Sequence, residues 1–267
     1  MPLLRVPEPY DFELSLERFF YWGLDRANVW EADALYRVVD GREVRIERAR
    51  GGVRVEPLDD AIEPVVRKLL GLEFVLEPFY EFAAGEPVLA GVVPRLAGFR
   101  PPLAPDPFES LVTSITAQQV SLHAAFAIRS RLIERFGERG ELAYAFPTAE
   151  RLASVGEDEL LALGFSRRKA EYVIGLARAD IDLHALAALD DDDVRARLTA
   201  IRGLGPWTAE WFLARHLARP RAWPAGDLVL RKAAEVLYGL DVHELGKRLD
   251  PFQNLSAHYL LTGMRLT

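Results

Sequence analysis

Chemistry in this chain concentrates between Leu198 and Gly239, in the stretch LTAIRGLGPWTAEWFLARHLARPRAWPAGDLVLRKAAEVLYG. Gly203 and Gly205 stand two apart, directly before Pro206 and Trp207. Glycine can take positive φ without steric cost, and it leaves no side chain in the way of an approaching group. Proline costs nothing at the first position of a helix. The free N–H groups of that helix's first turn then form an anion site, one that holds a phosphate whatever the base sequence. The same spacing suits an ordinary helical hairpin whose first helix ends on glycine. Asp227 follows Gly226 and precedes the apolar run LVLRKAAEVL. A carboxylate there can stabilise developing positive charge and orient or deprotonate a water. On its own, Gly-Asp before such a run is first of all a normal helix start. Trp207 and Trp211 lie four apart, on one helix face. They suit either core packing or a cationic ring, which an aromatic face attracts by about 0.5–2 kcal/mol.

Other chemistries lack their residues. With no cysteine among 267 residues, disulfides, iron–sulfur clusters and cysteine-ligated zinc are excluded, and five scattered histidines show no metal-ligand spacing. No apolar run approaches the roughly 18 residues a membrane span needs. The N-terminus lacks a secretory layout, so a cytoplasmic protein is expected. The net charge of −7 argues against nucleic acid only on average. Across 199–232, Arg202, Arg215, Arg219, Arg221, Arg231 and Lys232 face only Glu210 and Asp227. Binding responds to this local field rather than to the total.

The elements that must position these residues form an α+β chain. Within residues 1–100, ALYRVV (34–39), EVRIERA (43–49) and VRVEP (53–57) are separated by Asp40-Gly41 and Arg50-Gly51-Gly52. Such separators predict a three-stranded antiparallel meander, and Val44, Ile46, Val53 and Val55 alternate as a half-buried sheet requires. The segment 58–72 is expected to be helical, ending near Gly71. The Pro- and Gly-rich stretch 91–107 marks a boundary between a small α/β lobe (1–100) and a helical remainder (101–267). Asp106-Pro107 predicts a capped helix start, with Phe108, Leu111, Val112, Ile115 and Val120 at helical spacing. Further helices are expected over 151–164 and from Ser166, and the acidic run at 190–193 is read as a helix opening.

IRGLGPWTAEWF, followed nineteen residues after Pro206 by AGDLVLRKA, resembles the hairpin, Gly/Pro loop and Asp signature of the helix-hairpin-helix DNA glycosylase superfamily. Within it the chain is similar to the bacterial 3-methyladenine DNA glycosylase II branch. PYDFELSLERFF (9–20), DPFESLVTSITAQQVSLHAA (106–125) and LLALGFSRRKAEYVIGLA (160–177) extend the likeness over nearly the whole chain. The resemblance implies a small α/β lobe before a two-part helical body with a base-binding cleft. It implies that Asp227 is the catalytic carboxylate and that Trp207, Trp211 and Phe252 line or border the base pocket. Gln118 and Gln119 match the loop that fills the gap left by a flipped base, with Gln119 polar where relatives carry an apolar wedge.

Gly203, Gly205, Thr208, Arg231 and Lys232 are implied to hold DNA phosphates, with Arg167, Arg168 and Lys169 as further basic candidates. Main-chain carbonyls of Thr199, Ile201 and Leu204 match the positions of a monovalent cation (Na or K) bound along with DNA; no other cofactor is expected. Bifunctional relatives place Lys where Trp207 stands, and a Schiff base needs that amine. Lys232 does not match the position, so a monofunctional enzyme is expected. The implied activity is release of alkylated purines from duplex DNA by a monomer working at the nucleoid. Other damaged bases, or DNA binding without chemistry, are the alternatives. Phe252-Gln253-Asn254 stands where this branch often has Trp-Arg-Ser, a departure that bears on the base accepted.

Overall fold

In the computed structural model, which describes residues 2–266, the expected meander is the centre of a larger sheet. The chain begins with β1 (Leu3–Leu4), the short helices α1 (Phe12–Leu16) and α2 (Arg18–Tyr21), and β2 (Val29–Glu31). Then come β3 (Ala34–Val39), β4 (Arg42–Ala49) and β5 (Gly52–Glu56). All neighbours are antiparallel, in the order β1-β5-β4-β3-β2. Asp40 and Gly41 turn β3 into β4 with φ of 49° and 69°, the backbone a two-residue hairpin demands. Val44, Ile46, Val53 and Val55 all point into one core, completed by Ile62, Val66 and Leu69 of α3 (Ile62–Leu69).

The rest is helical. α4 (Leu76–Ala84) and α5 (Leu89–Val92) are followed by a short 3-10 turn, then α6 (Pro107–Ala117) and α7 (Leu122–Phe136). Asp106 caps α6, accepting from Glu109 N at 2.8 Å. The helix expected over 151–164 is two, α8 (Ala149–Ala153) and α9 (Glu157–Ala162), because Gly156 takes extended backbone between them. Next come α10 (Arg167–Ala177), capped by Ser166, and α11 (Asp191–Thr199), capped by Asp190. α12 (Pro206–Arg215) and α13 (Leu228–Ala233) follow, then a π-helical turn over Ala234–Tyr238, α14 (Val242–Arg248) and α15 (Gln253–Arg265).

Two further cores are helical. One gathers α6–α12 around Leu111, Ile115, Val173, Leu198 and Phe212. The other joins residues 74–103 to 230–260, packing Phe79 and Leu89 against Leu230, Leu245 and Tyr259. Segments more than a hundred residues apart thus share one apolar interior, and the stretch 91–107 runs along the seam.

Candidate active site

The hairpin is built from α11, the turn Ala200–Gly205 and α12. Gly203 has φ of +94°, and a Cβ there would lie 2.2 Å from the Tyr172 ring, so only glycine fits. Gly205 differs from the expectation of positive φ. It is extended (φ −104°, ψ −179°), and nothing lies within 4 Å of where its Cβ would be. Its role is therefore openness rather than backbone strain. As the α12 cap it offers no side-chain acceptor. The N–H groups of Gly205, Trp207 and Thr208 stay free for an anion, since Pro206 has none. The Thr208 side chain is buried, leaving its backbone N–H as the group able to meet a phosphate. Glu210 braces the hairpin, accepting from Arg195 Nε of α11 at 2.6 Å and from Trp223 N at 2.9 Å.

Trp223 belongs to the loop that delivers Asp227. Asp227 N donates to Pro224 O at 2.8 Å, closing a turn that aims the carboxylate back at α12. Asp227 does two things at once. Its Oδ1 accepts from Val229 N (3.0 Å) and Leu230 N (3.2 Å), capping α13. Its Oδ2 faces the indole N–H groups of Trp207 (3.5 Å) and Trp211 (3.3 Å). These two bonds are long, and among the described residues no Lys or Arg forms a salt bridge with this carboxylate. Its negative charge is therefore oriented by neutral donors and left available to a cation.

Trp207 and Trp211 also line a cleft that is open to solvent. Its floor is a buried ion network. Glu109 accepts from Arg37 Nη2 at 2.5 Å and Arg129 Nη2 at 2.6 Å, and Arg129 also pairs with Asp25. Asn28 joins Asp25 (3.0 Å) to Arg37 (2.9 Å). Burial pushes Glu109 up, but Arg37 and Arg129 outweigh it and hold the group below the ordinary carboxylate value. Two further guanidiniums, Arg18 and Arg215, line the same cleft. Arg215 lies 3.5 Å above the centre of the Trp211 ring, whose residue is only 2% exposed.

The glutamine loop sits beside the hairpin. Gln118 Nε2 donates to Gly203 O at 2.9 Å, tying loop to hairpin turn. Gln119 is exposed and left-handed (φ +54°), a strained conformation for a residue with a side chain. The two neighbours thus divide the work: Gln118 is an anchor and Gln119 projects. Lys169, a further basic candidate for DNA contact, is instead buried and donates to Thr116 O at 2.8 Å, bracing the end of α6. Arg231 and Lys232 are exposed on α13.

Phe252 is not brought to the cleft. It packs on Phe79 (6.0 Å) and Phe82 (5.1 Å) in the second core. Its neighbour Asn254 is fully buried and donates to Ala214 O (3.1 Å) and Arg219 O (3.0 Å), fixing the chain after α12. The sequence places Arg215 only among the basic residues of 199–232, and it gives no cleft role to Arg215, Arg18 or the Glu109 network. No spacing links Arg18 to Arg215, and an acidic residue in the first turn of a helix is too ordinary to reveal the Glu109 network. Among the described residues, no group of three or more His, Asp or Glu side chains could hold a metal ion, and no helix is long and apolar enough to cross a membrane.

Comparison with known proteins agrees with this geometry. Residues 112–249 match the model of the HhH-GPD superfamily base excision DNA repair proteins. The chain is 30% identical over 190 residues to a DNA-3-methyladenine glycosylase of Bacillus subtilis (strain 168), an alignment covering 68% of this chain and 63% of that relative. It is 27% identical over 96% of both chains to a putative DNA-3-methyladenine glycosylase, YfjP, of the same organism. The solved 3-methyladenine DNA-glycosylase from Archaeoglobus fulgidus superimposes with a TM-score of 0.89 at 28% identity, covering 99% of this chain and 98% of that one. The family match covers the hairpin, the cleft-lining tryptophans and Asp227 together, and the chain belongs to the HhH-GPD superfamily of base excision DNA repair proteins.

Proposed function

We propose that this protein is a monofunctional DNA glycosylase that flips alkylated purines out of duplex DNA and hydrolyses their N-glycosidic bond. The observation that carries the reading is Asp227, whose carboxylate is held by the two cleft-lining tryptophans and by the first turn of α13. Loss of a base from C1′ builds positive charge on the sugar, and a preorganised carboxylate beside it stabilises that state. The same oxygens can orient the attacking water or accept its proton. Cap and catalyst are compatible here because they use different oxygens of one side chain.

The remaining parts follow the same logic. The open N–H groups of Gly205, Trp207 and Thr208 take a phosphate, and Arg231 and Lys232 add exposed positive charge on the adjoining helix. A monovalent cation bridging the hairpin to that phosphate would be held by the carbonyls of Thr199, Ile201 and Leu204. These residues fit such a role: Thr199 and Ile201 lie where the helical bonding of α11 ends, and among the described residues Ile201 O accepts one backbone bond, from Leu204 N at 3.1 Å. Gln119 fills the space a flipped base vacates, held in place through Gln118. Trp207 occupies the position where an amine nucleophile would be needed for strand cleavage, and Lys232 lies exposed on α13. A monomer clasping the duplex needs no partner to complete this site.

The test is incubation of methylated duplex DNA with the protein, followed by analysis of free bases and strands. Free methylated purines with alkali-labile but unbroken strands support the reading. Broken strands, or a protein–DNA adduct trapped by borohydride, would show lyase chemistry instead.

A further inference from the structure

The cleft carries more positive charge than its own carboxylates neutralise. Of its lining residues, Arg37 and Arg129 are paired with Glu109 and Asp25. Arg18 and Arg215 are not: among the described residues neither has a carboxylate at salt-bridge distance or an acceptor for its guanidinium N–H groups. Arg215 Nε is buried without a partner. Buried donors left unsatisfied are costly, and such groups call for an explanation. Burial, helped by Arg18 and opposed by Asp227, pushes Arg215 down to about 9, so it is still charged at neutral pH. His258 supplies no counter-charge. It packs edge-on to Trp211 at 5.7 Å, and burial with Arg215 and Arg18 nearby lowers it well below its ordinary value, keeping it neutral. Arg215 also covers the Trp211 face, so that face is closed to a cationic ring.

Both guanidiniums therefore present only donors to whatever base enters beside Asp227. Purines differ at the edge such donors would read. Guanine-type bases show an oxygen at C6, whereas adenine-type bases show an amino donor there. Two donors reading that edge find two acceptors, N7 and O6, on a guanine-type base; on an adenine-type base they find N7 alone, and the amino group leaves one donor unpaired.

We infer that Arg215 and Arg18 are specificity-determining residues that bind the C6 carbonyl edge of the flipped base, so that guanine-type lesions are preferred over adenine-type lesions. This rests on the glycosylase reading above and names the substrate class within it.

The experiment uses methylated duplex DNA and compares single-turnover release of 3-methylguanine and 3-methyladenine, each relative to its spontaneous loss. The lesion is at the same ring atom in both, and the C6 group differs. Wild type should accelerate 3-methylguanine release more. Arg215→Met should lower 3-methylguanine release about tenfold or more, the loss expected for one charge-assisted bond, while leaving 3-methyladenine release equal or faster. Arg18→Met should shift the ratio in the same direction, which guards against a single variant that fails to fold. A merely structural role would lower both rates together and leave the ratio untouched. Equal acceleration of the two bases by wild type, preference for 3-methyladenine, or parallel losses in both variants would overturn the inference while leaving the glycosylase reading intact. Release of neither base by wild type would overturn that reading itself.

Discussion

Replacing Glu109 by Gln removes one negative charge from the cleft floor and changes almost nothing in shape. Glu109 is 4% exposed and is bonded by both Arg37 and Arg129, which reach it from β3 and α7. The amide keeps one acceptor oxygen, but its NH₂ group now faces a guanidinium that has only donors. Arg37 then lies buried with Asn28 as its remaining partner, and Arg129 depends on Asp25 alone for charge. Breaking a buried ion pair from one side costs about 3–5 kcal/mol, because the stranded charge cannot return to water. For a chain of this size that corresponds to a fall in Tm of roughly 10 °C. Urea unfolding followed by circular dichroism, with the thermal midpoint as a second measure, reads the loss directly. Since Glu109 is held below its ordinary value, its contribution is complete at neutral pH and disappears as pH falls through its folded-state value. The wild type and Glu109→Gln curves should therefore converge in acid. A loss under about 1 kcal/mol at pH 7 would refute the argument that this network, rather than apolar contact alone, fastens the sheet lobe to α6 and α7.

Three other expectations follow from single contacts. Asp227→Ala should cost about 1 kcal/mol of stability through loss of the α13 cap, whereas Asp227→Asn, which still accepts from Val229 N and Leu230 N, should cost only a few tenths; equal losses in unfolding experiments would contradict the two-oxygen division of labour. Arg231→Ala and Lys232→Ala should each lower the slope of log affinity against log salt by about 1 in a DNA-binding titration, and an unchanged slope would place that residue off the phosphate path. Burial, with Lys68 nearby, pushes His216 down to about 4, and its Nδ1 lies 2.8 Å from Ala104 O. Between pH 6.5 and 4 the unfolded chain binds a proton that the folded chain refuses, so stability should fall with pH by up to about 3 kcal/mol more in wild type than in His216→Gln. Parallel pH profiles would rule that group out.

Local signals in the sequence were legible wherever one residue type decides the backbone. Asp106, Ser166 and Asp190 each cap the helix they were expected to open, and Asp40-Gly41 makes the expected hairpin. β1 and β2 escaped notice because strands of two and three residues are too short for alternation to register. The division of 151–164 into two helices depends on Gly156 adopting extended backbone, which its permissiveness allows but does not dictate. Contacts across the chain were illegible for a different reason. Arg18 and Arg215 meet in one cleft, and Phe79 meets Tyr259 at 4.8 Å, only because tertiary packing brings them together. The fate of Phe252 has the same origin: placed at the base pocket by the resemblance, it packs instead on Phe79 and Phe82.

The most direct test of the account is base release from methylated duplex DNA by wild type and by Asp227→Asn, with DNA binding measured alongside. Asn preserves the cap and the shape of the site but removes the negative charge proposed to stabilise the sugar. Asp227→Asn should bind DNA as wild type does and release bases at least about a hundredfold more slowly, the usual scale for losing one preorganised electrostatic group. Turnover equal to wild type would show that Asp227 is a helix cap and nothing more.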